Sequence, residues 1–388
     1  MQCASEKQGQ YVLASAASLS MVLGSVHGFS VLIEPLEAQF HASRAMVSLT
    51  YSLALVGITL AVLFGHLVFG RFSPGRIMLG VGLLATTGAL LAGFAPSLSI
   101  VWLGYSLLFG LANGLGYGFG LQIAAQANPH RGGLAMGIVT ASYALGAVLS
   151  PYLYSLALGA GGFRGAMIGL AVVLMIVMSV STRLMFIAAP TFAASATGTG
   201  PNPLVPAQFV GLWVGYGAGV AAGLMTIGHA TGIAVSIGFA GAVWLPPAMI
   251  AVANMAGSLA GGFLVDRTFP QRLFVLLPLL TFFGLLVVLS SPTGATILPG
   301  LGIVGFGYGA LIATYPASIA KMFGSANSAR VYGRVFSAWG VAGLLAPWLA
   351  GMLFDLTGQY TEALQIAIIL SCISAVVGYC LRPESISA

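Results

Sequence analysis

Two histidines sit inside long apolar runs: His27 in SVHGFSVLIEPLEAQF and His229 in GLMTIGHA. Histidine titrates near neutrality, so in such a run it must either be used or be bonded to a neighbour. His27 reads in two ways, as a proton-titrating or hydrogen-bonding ligand in a cavity, or as a neutral side chain tied to an adjacent helix. His229 has the same two readings; the second makes it a fixing point for the outer part of its helix. Tyr117, Tyr308, Tyr315, Asn254 and Ser258 can add hydrogen bonds to the same cavity. Tyr143 and Trp339 can stack on a small substrate or simply pack between helices. No Asp, Glu, Lys or Arg falls near the middle of an apolar run. If proton coupling occurs, His27 is the expected carrier.

Other chemistries lack their motifs. The sequence has no metal-ligand cluster, no G-x-S-x-G turn and no Walker loop. GLANGLGYGFG lies within an apolar run rather than between a strand and a helix, so it is not a dinucleotide fingerprint. Cys3, Cys372 and Cys380 form neither a CxxC pair nor a metal spacing. The expectation is a protein that is not an enzyme and that uses no cofactor or metal.

The elements holding these residues follow from composition. Of 388 residues, 59% are hydrophobic and only 5% charged, against about 25% charged in a typical soluble domain. Apolar runs of roughly 20 residues match the thickness of a bilayer core. Such runs are too long for barrel strands, so they read as helices. Twelve spans are expected: 11–33, 46–69, 77–95, 98–122, 134–157, 165–188, 208–232, 240–265, 272–291, 294–320, 331–355 and 361–381. The first is too long for a signal-peptide core and lacks a clear cleavage site, so it reads as a retained helix.

With the N-terminus inside, eleven of the thirteen Lys and Arg residues fall at the cytoplasmic side, among them Arg71, Arg131, Arg330 and Arg382. Only Arg44 and Arg164 fall outside, which is the positive-inside pattern. The basic residues therefore report topology, not nucleic-acid binding. The expected location is the cytoplasmic (inner) membrane, multi-pass, with both termini cytoplasmic.

The chain also repeats itself. GHLVFGRFSPGR (65–76) and GGFLVDRTFPQR (261–272) lie 196 positions apart, and the same offset places GIVTASYALGAVLSPY (137–152) over GRVFSAWGVAGLLAPW (333–348). The alignment pairs Tyr143 with Trp339 and Pro151 with Pro347, and both prolines should kink their spans. A six-span unit repeated in parallel is the pattern of a two-bundle transporter with a midplane site. The fold expected is an all-α membrane protein of two pseudo-symmetric six-helix bundles, 1–188 and 208–388, joined by a cytoplasmic linker at 189–207 that is rich in Ala, Thr, Gly and Pro.

The sequence resembles the major facilitator superfamily over essentially its whole length. The repeated turn is similar to that family's G-x-x-x-D-R-x-G-R-R loop. The stretches around His27 and His229, together with GLGYGF, NMAGSLAGGFLVDR and YGRVFSAWGVAGLLAPWLAGMLFDLTGQY, resemble the oxalate:formate antiporter and monocarboxylate transporter branch. That resemblance implies alternating access and a small organic acid, moved by antiport or with protons. Two departures stand against simple inheritance. Ser258 follows Asn254-Met-Ala-Gly257 where anion carriers of the branch have Arg, and Trp339 stands where oxalate carriers have Lys. In the family the Asp of the repeated turn helps close the cytoplasmic side. Asp266 keeps it and Gly70 has lost it, so Gly70, Arg71, Arg76, Asp266, Arg267 and Arg272 form an asymmetric cytoplasmic gate by this reading. The alternatives are efflux of a neutral or amphipathic compound, and a membrane receptor or scaffold that has lost transport. Partners expected are a small-molecule substrate and the lipid bilayer, with the protein a monomer.

Overall fold

The computed structural model describes residues 2–128, 132–192, 206–290, 294–323 and 325–381. Among them the only regular elements are helices, and eleven are long and apolar enough to cross a membrane. The longest, Gly132–Ala188, leaves helical geometry at Gly161 and Gly162. Gly162 has φ +61°, a conformation suited to glycine. This break divides the element into the expected spans 5 and 6, so twelve spans are present.

The remaining spans follow their apolar runs closely. Span 1 comprises an α-helix, Gln2–Leu23, a 3₁₀ stretch, Gly24–Leu32, and a short α-helix, Ile33–Phe40. Spans 2, 3 and 4 are Arg44–Phe64, Pro74–Gly93 and 98–127, with π-helical geometry over Trp102–Phe109 in span 4. Span 7 is Pro206–Gly228 continued by Ala230–Ser236, and His229 is the break between the two pieces. Spans 8 to 12 are Leu245–Arg267, Pro270–Leu289, Gly294–Phe323, Ser325–Thr357 and Thr361–Cys380. Span 8 begins five residues later than its apolar run, at a Leu-Pro-Pro start. Proline fits the first helical turn, where no intrahelical N–H bond is lost.

Two compact units emerge. Unit 1 is Met1–Ala42 with Thr50–Ser195, and unit 2 is Ser43–Leu49 with Ala196–Ala388. The first residues of span 2 thus group with unit 2, although the rest of the helix belongs to unit 1.

Unit 1 is organised around a contact without side chains. A Cβ added to Gly146 of span 5 would overlap the Met21 carbonyl of span 1, and one on Gly24 would overlap the Tyr143 carbonyl. Small residues let helix backbones meet in this way where lipid supplies no hydrophobic drive. Unit 2 has the matching device between spans 8 and 10, where a Cβ on Gly257 would overlap the Phe306 carbonyl and one on Gly309 the Asn254 carbonyl.

Candidate functional site

In unit 1 the close approach of spans 1 and 5 places His27 beside Tyr143, with ring centroids 5.7 Å apart and nearly perpendicular. His27 lies on the 3₁₀ stretch and remains partly exposed, while its sequence neighbours Val26 and Gly28 are buried. Its Nδ1 shares a 2.8 Å hydrogen bond with the Tyr51 hydroxyl of span 2. The Tyr143 hydroxyl donates to Asn113 Oδ1 at 3.0 Å, and Asn113 Nδ2 donates to the Leu23 carbonyl at 2.6 Å. Asn113 is completely buried. Tyr117 completes the group: its ring lies 4.7 Å from that of Tyr143, and its hydroxyl is 3.3 Å from Thr140 Oγ1. Spans 1, 2, 4 and 5 thus bring three of the expected residues, His27, Tyr117 and Tyr143, into one polar cluster. Tyr51 and Asn113 join it although the sequence did not single them out. The cluster carries hydroxyls, an amide and an imidazole, so it can accept and donate hydrogen bonds at once.

In unit 2 the expected residues fall into separate groups. Ser258 Oγ donates to the Gly309 carbonyl at 3.1 Å and approaches Asn254 Oδ1 at 3.4 Å, so the hydroxyl standing where the branch has Arg is used between spans 8 and 10. Trp339 Nε1 donates to the Tyr308 hydroxyl at 3.0 Å, and its ring stacks on Phe336 at 5.3 Å. Trp339 and Tyr308 retain 6% and 5% exposure, enough to present an edge but not a face. Tyr315 is fully buried between Tyr216 and Phe274, with both centroid distances 4.5 Å.

His229 is fully buried and both ring nitrogens are engaged within unit 2. Nδ1 lies 2.9 Å from the Tyr360 hydroxyl, and Nε2 lies 2.8 Å from the Pro347 carbonyl of span 11. The network continues to the start of span 2. Arg44 donates to the Tyr360 hydroxyl at 3.1 Å, and its guanidinium lies 4.1 Å from the centre of the Phe354 ring. Asp355 accepts from the backbone N–H groups of Arg44 and Ala45 at 2.8 and 2.7 Å. Those groups have no partner inside their own helix, so a carboxylate from another span acts as their cap. Sequence reasoning places Arg44 on the outer side but has no signal that it meets Asp355, since the two are 311 positions apart.

Of the duplicated turn, Gly70, Arg71 and Arg76 are exposed in unit 1. In unit 2 Arg267 lies over Phe263 at 3.9 Å and Arg272 over Phe269 at 5.5 Å. Lys321, the last-turn cation of span 10, donates to the Val265 and Thr268 carbonyls at 2.8 and 3.2 Å. It thereby holds the end of span 8, as basic side chains do at helix C-termini. The side chains of Asp266 and Arg330, together with residues Arg131 and Arg382, lie outside the described residues. Among the described residues no group of three or more His, Cys, Asp and Glu side chains is placed to hold a metal.

Comparison with known proteins agrees with this architecture. The family profile described as Major Facilitator Superfamily matches residues 13–310. An uncharacterized MFS-type transporter of Escherichia coli (strain K12), YhjX, is 25% identical over 83% of this chain and 82% of its own. Monocarboxylate transporter 13 of Bos taurus is 26% identical, covering 92% of this chain and 85% of its own. The oxalate:formate antiporter of Oxalobacter formigenes is 22% identical over 92% and 88%. Among solved structures, a bacterial homologue of the human lysosomal transporter Spinster, in an inward-facing and occupied conformation, superposes with a TM-score of 0.77. It covers 97% of this chain and 98% of its own at 12% identity, a likeness of fold alone. The chain belongs to the Major Facilitator Superfamily, and it is a multi-pass membrane transporter rather than an enzyme.

Proposed function

We propose that this protein moves a small organic acid, a monocarboxylate or dicarboxylate-like metabolite, across the cytoplasmic membrane by alternating access, as an antiporter or with protons. The observation that carries this reading is the cluster of His27, Tyr51, Tyr117, Tyr143 and Asn113, a partly exposed imidazole amid hydroxyls and an amide. No Lys or Arg falls near the middle of an apolar run, so a carboxylate bound there needs a proton of its own or one on His27. Coupling to protons follows from that requirement. The names of the monocarboxylate and oxalate:formate relatives support the substrate class. His27 is the proton carrier on this account. Asn254, Ser258, Tyr308 and Trp339 supply the complementary polar and aromatic contacts in unit 2. His229 and Tyr315 support the helices around them, through the Pro347 carbonyl and the Tyr216–Phe274 pair.

The repeated basic turns form the cytoplasmic gate, both termini are cytoplasmic, segment 189–207 links the bundles, and the protein works as a monomer. The test is uptake of labelled monocarboxylates and dicarboxylates into proteoliposomes under an imposed pH gradient. Uptake that His27→Ala leaves unchanged, with the same pH dependence, overturns the assignment of the proton carrier.

A second reading keeps the fold and changes the cargo. The Trp339 indole and the stacked Phe336 ring favour a neutral or amphipathic compound, exported rather than imported. Resistance to toxic amphiphiles on expression, without organic-acid flux, selects it.

A further inference from the structure

Unit 2 carries a groove that the substrate reading does not use. It is a cavity of about 830 Å³ lined by Gln271, Arg272, Leu276, Gly378, Tyr379 and Cys380. Span 9 starts there and span 12 ends there, so the groove lies at the surface of the membrane rather than at its middle. The two helices meet at its wall. A Cβ on Gly378 would overlap the Phe274 carbonyl, so a residue without a side chain lets the span 12 backbone reach span 9. The flanking side chains are large and turned outward: Leu276 is 58% and Tyr379 80% exposed. Arg272 is exposed as well.

Both walls continue as apolar faces along their helices. On span 9, Phe283 follows Leu276 by seven residues; on span 12, Val376 stands three before Tyr379 and Ile369 seven before Val376. These spacings keep to one side of a helix, and Phe283, Val376 and Ile369 are 57%, 61% and 57% exposed. The groove is therefore polar at the helix ends and apolar along their length, which is the order of groups in a phospholipid. Among the described lining residues Arg272 alone is charged, and none is acidic. A guanidinium presents a planar fork to two phosphate oxygens, and the Gln271 amide adds a further donor. The ammonium of a zwitterionic headgroup finds no carboxylate in this lining. A headgroup whose only charge is its phosphate is matched one for one.

We infer that the groove between spans 9 and 12 binds an anionic phospholipid, with its phosphate on Arg272 and Gln271 and an acyl chain along the Leu276–Phe283 face. A soluble anion would use Arg272 and leave the apolar walls without a partner. The inference concerns the lipid and not the cargo, so it stands apart from the substrate class. Arg272 also belongs to the proposed gate, and the readout is therefore lipid binding rather than flux.

The test titrates the purified full chain with phosphatidylglycerol or phosphatidylethanolamine of identical acyl chains and counts bound lipid by native mass spectrometry. Wild type should retain phosphatidylglycerol more tightly. Arg272→Gln should weaken that binding about fivefold, the worth of one basic side chain near a membrane surface. It should leave phosphatidylethanolamine binding unchanged, which separates a lost site from a lost fold. Equal retention of the two lipids by wild type, or a preference that survives in Arg272→Gln, overturns the proposal. Inorganic phosphate that displaces phosphatidylglycerol at equal concentration overturns it too, because the site is then one for a soluble anion. A photoreactive phosphatidylglycerol on the unmodified protein gives the location without any variant. Crosslinks around Leu276 and Tyr379 are expected, and crosslinks confined to other helices refute the assignment.

Discussion

Replacing Gly146 with Ala perturbs the contact on which the substrate cluster of unit 1 depends. The new methyl would overlap the Met21 carbonyl, a backbone atom that cannot rotate away. Non-bonded heavy atoms settle at about 3.5–4.0 Å, so spans 1 and 5 must part by about 1–2 Å. Overpacking of this kind costs about 1–3 kcal/mol. Gly137 supplies the control on the same helix, because a Cβ there meets nothing within 4 Å. Alanine at 137 should gain about 0.5–1 kcal/mol from helix propensity alone. Gly146→Ala gains the same propensity, so the expected gap between Gly146→Ala and Gly137→Ala is the overpacking cost, about 1–3 kcal/mol. Thermal unfolding in detergent reads it as a difference of several degrees. Flux in proteoliposomes reads the functional half, since separating the spans also separates His27 from Tyr143. If Gly146→Ala is as stable and as active as Gly137→Ala, the close approach is not what positions His27, and the reasoning fails.

Three further outcomes follow from the network in unit 2 and from the unit 1 cluster. His229→Ala strands the Tyr360 hydroxyl and leaves a cavity, so it should cost about 2–4 kcal/mol in thermal unfolding. Asp355→Ala removes the acceptor for two backbone N–H groups at the start of span 2 and should destabilise by about 0.5–2 kcal/mol, whereas Asp355→Asn keeps an acceptor and should recover much of that loss. Tyr143→Phe leaves the buried Asn113 Oδ1 without its Tyr143 donor, so it should cost about 1–3 kcal/mol and weaken substrate binding in a thermal-shift titration, while Tyr379→Phe, at an exposed position of span 12, should do neither.

The sequence carries the elements more legibly than their partners. Twelve apolar runs and the Gly-Gly break at 161–162 are local signals, because hydropathy and backbone freedom act within one stretch of chain. The Leu-Pro-Pro start of span 8 is equally local, and it explains why that helix begins at Leu245 rather than 240. His27, Tyr117 and Tyr143 were singled out because a titratable or hydroxyl-bearing side chain stands out against hydrocarbon. Tyr51 and Asn113 were not, for a physical reason. Each lies in an apolar or Gly-rich run, and its role depends on how its helix is rotated against a neighbour. Asn113 meets the Leu23 carbonyl across 90 residues, a contact that depends on the packing of spans 1 and 4. The same holds for Lys321 at the end of span 8 and for Asp355 at the start of span 2. Their charge marks a helix end, but only folding decides which helix end they serve.

The central claim is that a cluster containing a single titratable imidazole, in spans whose middles hold no Lys or Arg, carries an organic acid together with a proton. The most direct measurement is uptake of labelled monocarboxylates into proteoliposomes, with and without an inward proton gradient, for wild type and His27→Ala. The account predicts substrate-dependent uptake by wild type that the gradient accelerates, and a variant whose uptake no longer responds to it. Wild-type uptake indifferent to the gradient, or a His27→Ala variant that still follows it, would contradict the account.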